Sequence, residues 1–245
     1  MKRFITLAIF VFAITLANAQ LTLGPKFGAN FSRINMDPEE IQPDDNSFKF
    51  GYQGGWVFNW AITDGFAIQQ EVLFTQKGNK IENNIIDTVA SEIYHTEYEE
   101  ALTLNYIDLP LMFRFSFGDP MDKQFFFNVG PRLGFLVGGN TAWNSNTKKT
   151  QPDDGYKHES QGQTPVDESI YDHSEFGVDI GIGYDINTGP GHFVIDLRYM
   201  MGVSDILLEG AQTQAHIMKN QTMALSAIFL FGNTKPVVGG EIGKL

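Results

Sequence analysis

The sequence predicts an all-β chain, an eight-stranded antiparallel up-and-down transmembrane β-barrel with short periplasmic turns and long extracellular loops. Three observations carry the prediction. A secretory leader opens the chain, eight later segments alternate apolar with polar residues, and the apolar face of those segments is too bulky for the inside of so small a barrel.

The leader comes first. Lys2 and Arg3 precede an apolar run from Phe4 to Leu16, followed by Ala17-Asn18-Ala19. That run is short for a spanning helix, and small residues at Ala17 and Ala19 suit a signal peptidase. Residues 1–19 are therefore expected to be cleaved and the mature chain to begin at Gln20, with an uncleaved anchor as the alternative. The remaining residues carry 15 basic and 29 acidic side chains, a balance that does not seek nucleic acid. There is no cysteine, so no disulfide holds the fold, and no later apolar stretch reaches the length of a spanning helix. A membrane crossing would have to be made by strands.

Alternation at period two turns every second side chain to one face, and it recurs eight times. The first segment sets Leu21, Leu23, Phe27 and Phe31 against Thr22, Lys26, Asn30 and Ser32, and the second sets Phe50, Tyr52, Trp56, Phe58 and Trp60 against Gly51, Gln53, Gly55 and Asn59. The third opposes Phe66, Ile68, Val72 and Phe74 to Gln69, Glu71, Thr75 and Lys77, with Gln70 and Gln76 interrupting its apolar face. In the fourth, Ile107 to Phe117 alternate with Asp108, Pro110, Arg114 and Ser116, while Leu102 and Leu104 have the wrong parity, which a bulge near Asn105-Tyr106 would repair. The fifth sets Phe125, Phe127, Leu133 and Phe135 against Gln124, Asn128, Gly130, Arg132 and Gly134. The sixth sets Phe176, Val178, Ile180, Ile182 and Tyr184 against Glu175, Gly177, Asp179, Gly181 and Asp185. The seventh opposes Phe193, Ile195, Leu197 and Tyr199 to Asp196 and Arg198, and the eighth opposes Met223, Leu225, Phe229 and Phe231 to Thr222 and Ser226.

Short and long connections alternate. Residues 63–65, 118–123 and 187–192 are short; residues 35–47, 78–100, 140–174 and 203–221 are long. Outer-membrane barrels pair tight periplasmic turns with longer extracellular loops in this way. The expected organisation is a leader over 1–19, a barrel over 20–232 and a short periplasmic tail over 233–245.

Alternation alone leaves open which face is inside, so a soluble barrel with an apolar interior has to be weighed. An eight-stranded barrel has room only for its own side chains or one small ligand, and the apolar face carries Trp56, Trp60 and more than a dozen other rings. The rings are expected to face lipid, and the glycine-rich polar face to fill the lumen. That face also carries Lys26, Lys77, Arg114, Arg132 and Arg198 with Glu71, Asp108, Glu175, Asp179, Asp185 and Asp196. A cation on the lipid face would cost about 2–4 kcal/mol at the midplane, whereas inside these groups can pair. They read as an ionic plug, with an ion path or substrate site as the rival reading.

The long loops hold 19 of the 29 acidic residues, which makes them either a solvated rim or a surface for a divalent cation or basic partner. No loop has the spacing of a calcium site. Residues 143–169 are polar enough to be expected mobile. The five histidines are expected off the strand faces, with His192 in a short turn, so a histidine-activated serine is not expected. No cofactor or metal motif is present. The chain is therefore expected to be non-enzymatic, with outer-membrane lipids as surroundings and a protein partner at the acidic loops or the periplasmic tail. A narrow channel for ions or small solutes is the alternative.

Several stretches together carry a family resemblance: residues 24–32 (GPKFGANFS), 68–78 (IQQEVLFTQKG), 104–111 (LNYIDLPL), 130–134 (GPRLG) and Leu197-Arg198-Tyr199. On these the chain resembles the PorT-like outer-membrane β-barrel proteins of diderm bacteria. The resemblance implies a barrel integral to the outer membrane and, since one named member takes part in a secretion system, an accessory role in protein secretion. The long loops do not match, and the tail departs from the usual terminal aromatic residue.

Overall fold

In the computed structural model the pleat sets residues of like parity on one side of each strand, and closure of the strands into a ring makes one side the lumen and the other the outer face. The structure describes residues 20–37, 46–89, 92–151, 155–167, 169–208 and 217–232. The expected leader, the expected tail, the acidic residues between 38 and 45, and His216 lie outside the described residues. The strands are β1 (Gln20–Asp37), β2 (Asn46–Ser47), β3 (Lys49–Thr63), β4 (Phe66–Val89), β5 (Glu92–Gly118), β6 (Lys123–Gln151), β7 (Lys157–Pro165), β8 (Ser174–Asn187), β9 (Gly191–Gly202) and β10 (Ile217–Phe231). Eight of them close an antiparallel ring in the order β1-β3-β4-β5-β6-β8-β9-β10, with β10 pairing back to β1 from Leu23↔Phe231 to Asp37↔Ile217. Ring neighbours follow one another along the chain, so the topology is up-and-down. Among the described residues no helix is long and apolar enough to cross a membrane; the ring is built of strands alone.

The apolar face points outward. Phe27 is 67% exposed, Phe50 64% and Phe117 64%, whereas Lys26, Lys77 and Asp196 on the opposite parity are 0% exposed. A protein in water would bury the first set and expose the second, so the surroundings of the ring must be apolar. The two glutamines that interrupt the outer face of β4 are tied to β5: Gln70 Nε2 donates to the Pro110 carbonyl oxygen at 3.0 Å and Gln76 Nε2 to Asn105 Oδ1 at 3.1 Å.

Two expected long loops are largely strand. Residues 78–89 continue β4, 92–103 continue β5, 139–151 continue β6, and the segment expected mobile over 143–169 contains the paired β6–β7 hairpin. β5 alone, with 27 residues, extends roughly 90 Å, where a spanning strand needs about 10 residues. Beyond the ring, at its long-loop end, β4, β5, β6 and β7 therefore stand as a four-stranded blade, with β2 against the base of β4. Both faces of the blade meet water, so neither needs to be apolar, and period-two alternation is lost although pairing continues.

Side-chain contacts stiffen the blade. Lys80 Nζ holds Glu82 (2.5 Å) and Glu99 (2.9 Å), Lys149 Nζ holds Glu92 (2.7 Å), and the Tyr94 and Tyr156 rings meet edge to face. Tyr98 donates its hydroxyl to Glu100 (2.7 Å), a bond that only the neutral phenol can make, and its pKa is pushed up to about 12. The contribution of this bond to stability is full below pH about 10 and fades as pH rises towards 12. An absorbance titration is expected to show one fewer late-ionising tyrosine in Glu100→Gln than in the parent chain, as Tyr98 moves back towards 10 while the others, Tyr94 among them, stay raised.

The irregularity expected at Asn105-Tyr106 is present, but its extra residue sits on the partner strand. Asn105 pairs with Gly138 and Tyr106 with Leu136, which leaves Val137 over, and Gly138 takes φ +136°, a conformation that favours glycine. β5 keeps its parity, so Leu104 stays inside at 0% exposure and Leu102 packs partly buried beside it. The expected repair does not occur because the lumen at this level is itself apolar.

Candidate functional site

Within the ring, the long charged side chains stand opposite glycines. Lys26 on β1 faces Gly55 on β3, Arg132 on β6 faces Gly177 on β8, Asp179 on β8 faces Gly130 on β6, and Arg198 on β9 faces Gly181 on β8. A Cβ at Gly177 would run into the Arg132 guanidinium and one at Gly134 would crowd Asp108 Oδ1, so the glycines supply the space that the charges occupy.

Nine of the eleven charged residues expected in the lumen form one network. Arg132 binds three acids: Nε to Asp179 (3.0 Å), Nη1 to Asp108 (3.2 Å) and Nη2 to Glu175 (3.1 Å). Lys77 Nζ joins Asp108 (3.0 Å) to Glu175 (2.9 Å) and lies 4.3 Å from the centre of the Tyr106 ring. One level nearer the short turns, Arg198 grips Glu71 with both Nη atoms (2.9 and 2.8 Å) and Asp196 with one (2.8 Å), while Lys26 Nζ reaches Asp196 (2.7 Å) and Glu71 (3.1 Å). Asp179 lies between the levels, 3.9 Å from Arg198 Nη1. Gln69, Asn128 and Asn220 donate side-chain amides to Glu71, Asp196 and Glu175. Four cations face five acids in this network, all almost fully buried. Removing so many ions from water is costly, and the multiple contacts are what offset it.

The other two, Arg114 and Asp185, stand apart at the short-turn mouth. Arg114 Nη2 meets Asp185 Oδ2 (2.5 Å), and the other carboxylate oxygen meets His192 Nδ1 (2.8 Å). His192, expected in a short turn, is an inward residue of β9, 5% exposed. The reason is local: Thr188 N donates to the Gly191 carbonyl oxygen (2.8 Å), closing a turn that lets β8 run to Asn187 and β9 start at Gly191. His95 and His158 likewise lie on strands, β5 and β7. Ser116 Oγ accepts from Arg114 Nε (3.3 Å), so the serine at this mouth serves the guanidinium. The cavity at this mouth measures about 40 Å³.

Apolar layers lie on both sides of the ions. Val57, Phe126, Val194, Ile228 and Leu230 cluster between the network and the Arg114 pair, with the Arg114 guanidinium 3.9 Å from the Phe126 ring centre. Towards the blade, Ile34, Leu104, Tyr106, Leu136, Ile206 and Met218 form a plug. Ile206 comes from a connection, not a ring strand. It is held there by its N–H to the Met218 carbonyl oxygen (2.9 Å), by Asp172 N to its own carbonyl oxygen (2.9 Å), and by Asp205 Oδ1, which accepts from Leu207 N and Met218 N. Sequence reasoning assigned neither apolar layer, and Leu104 with its anomalous parity was the available signal. Among the described residues no group of His, Asp or Glu is placed to hold a metal ion.

The family described as outer membrane protein beta-barrel domain matches residues 17–208. Comparison with curated proteins gives no match. Among solved structures, the attachment invasion locus protein Ail of Yersinia pestis is similar at 13% identity, over 86% of this chain and 99% of that one, with a TM-score of 0.37. Neisserial surface protein A is similar at 10% identity, over 86% and 98%, with a TM-score of 0.33. The N-terminal barrel domain of Pseudomonas aeruginosa OprF is similar at 12% identity, over 84% and 97%, with a TM-score of 0.29.

Proposed function

The chain belongs to the outer membrane protein β-barrel domain family, and from that premise we propose that it is a non-enzymatic barrel with a closed lumen, anchored in the bacterial outer membrane to hold its blade outside the cell. In this reading the short turns lie in the periplasm and the blade makes the contacts that matter. One observation supports it: the nine-residue ionic network, every member buried, joins six of the ring strands across the lumen and has an apolar layer on each side. The narrower kinship with PorT-like barrels, and with it an accessory role in protein secretion, belongs to this proposal.

The test is conductance of residues 20–245 refolded into planar bilayers, after heat-dependent gel mobility has established a folded barrel. A silent barrel is expected. Stepwise channels that change with Arg132→Ala would sink the closed-lumen reading and put passage of ions or small solutes in its place.

A further inference from the structure

The register of the blade lays its outward side chains in rows. Ala101 pairs with Ala142 and Ala142 with Gln163; one row further from the ring stand Glu99, Asn144 and Gln161, and beyond them Glu97, Asn146 and Glu159. The two alanine methyls leave a depression among taller polar neighbours, a groove of about 520 Å³ walled by Glu99, Asn144, Gln161 and Gln163. A second cavity of about 380 Å³ shares Asn144 and Gln161 and continues to Asn146 and Glu159.

The groove's hydrogen-bonding capacity is unspent. Among the described residues, the side chains of Asn144, Gln161 and Gln163 have no hydrogen-bond partner, and Asn146 Oδ1 is buried without one. Glu99 is the fixed wall, held by Lys80 Nζ at 2.9 Å.

Planar amides each present a donor and an acceptor side by side, which matches vicinal hydroxyls, and a floor of methyl groups suits the C–H face of a sugar ring. The rows repeat every two residues, about 7 Å along the strand, and the adjoining cavities can take consecutive units of a chain. Glu97, Glu99 and Glu159 outnumber Lys80 beside the groove and disfavour an anionic chain there, while Lys148 and Lys157 stand one row beyond Asn146 and Glu159, at the far end of the same face. The groove also lies on the side that faces lipid lower down, just beyond the apolar belt, where the sugar-bearing layer of an outer membrane runs.

We propose that this groove binds a neutral oligosaccharide. The proposal rests on the blade being the working face and not on closure of the lumen. Tryptophan fluorescence of refolded residues 20–245 would be followed on titration with maltohexaose, cellohexaose and chitohexaose, with a heparin-derived hexasaccharide as the anionic control. Parallel arms would use lipopolysaccharide with and without its O-chain. Binding of a neutral hexasaccharide, weakened about tenfold or more in Asn144→Ala/Gln161→Ala as the loss of two hydrogen bonds predicts, supports a glycan from outside. Binding of O-chain lipopolysaccharide alone, with the same loss, supports the cell's own glycolipid. Binding of none of these, preference for the heparin fragment, or equal binding by the double variant overturns the proposal. A silent barrel that binds no sugar retires the groove alone, and a conducting barrel that binds sugar retires the closed lumen alone.

Discussion

Arg132→Ala is expected to lower the unfolding free energy by about 3–5 kcal/mol, the usual result of removing one partner from a buried charge cluster. Arg132 holds Asp108, Glu175 and Asp179, and of these Asp108 and Glu175 keep only Lys77 as a cation when it is gone. Asp179 keeps only Arg198, at 3.9 Å. The measurement is the urea midpoint of the refolded barrel, read by heat-dependent gel mobility. Arg33→Ala is the control: Arg33 is exposed, bonds Gln221 at 2.9 Å and lies over Phe48, and its loss is expected to change stability by no more than about 0.5 kcal/mol. Equal midpoints for the two variants would show that the network is not what holds the lumen.

Gly130→Val is expected to be as damaging for a different reason. A Cβ at Gly130 would collide with the backbone of β5, at the Leu111 carbonyl and the Met112 Cα. A strand backbone has no rotamer with which to give way, so the cost is expected to exceed about 3 kcal/mol and the folded, heat-modifiable form to be lost. Gly54→Ala is the contrast. Its Cβ would meet the Phe27 ring edge at 3.2 Å, and a ring on the lipid face can turn aside. If Gly130→Val folds as well as Gly54→Ala, β5 and β6 are not packed as closely as described.

How much of this was legible in the sequence depends on whether the two faces of a strand meet different surroundings. Along β8, Phe176, Val178, Ile180 and Ile182 meet an apolar medium and Gly177, Asp179 and Gly181 a polar one, so the pattern is plain. Along β6 past Gly139, Asn144 and Ser145 both meet water; the pattern fades while the ladder goes on, and the strand was expected to be loop. Parity says which side chains share a face, but it cannot say which acid meets which base. That Glu71 would be gripped by Arg198 follows only from the order of strands round the ring. The plug was hidden for a related reason. Leu104 announces itself by the wrong parity, but Ile206 reaches the lumen from a connection that carries no periodic signal.

The closing pair of the ring also sets the order of events during assembly. β1 and β10 lie at opposite ends of the described chain, and Lys26 meets Asp196 across a separation of 170 residues, Arg198 meets Glu71 across 127. Until β10 arrives, the nascent sheet has two free edges and its charged interior is open to water. The ion pairs that join distant strands are complete only when the ring is closed. Contacts completed that late are expected to slow unfolding more than they hasten folding, an outcome that paired folding and unfolding rates of Arg198→Ala would check.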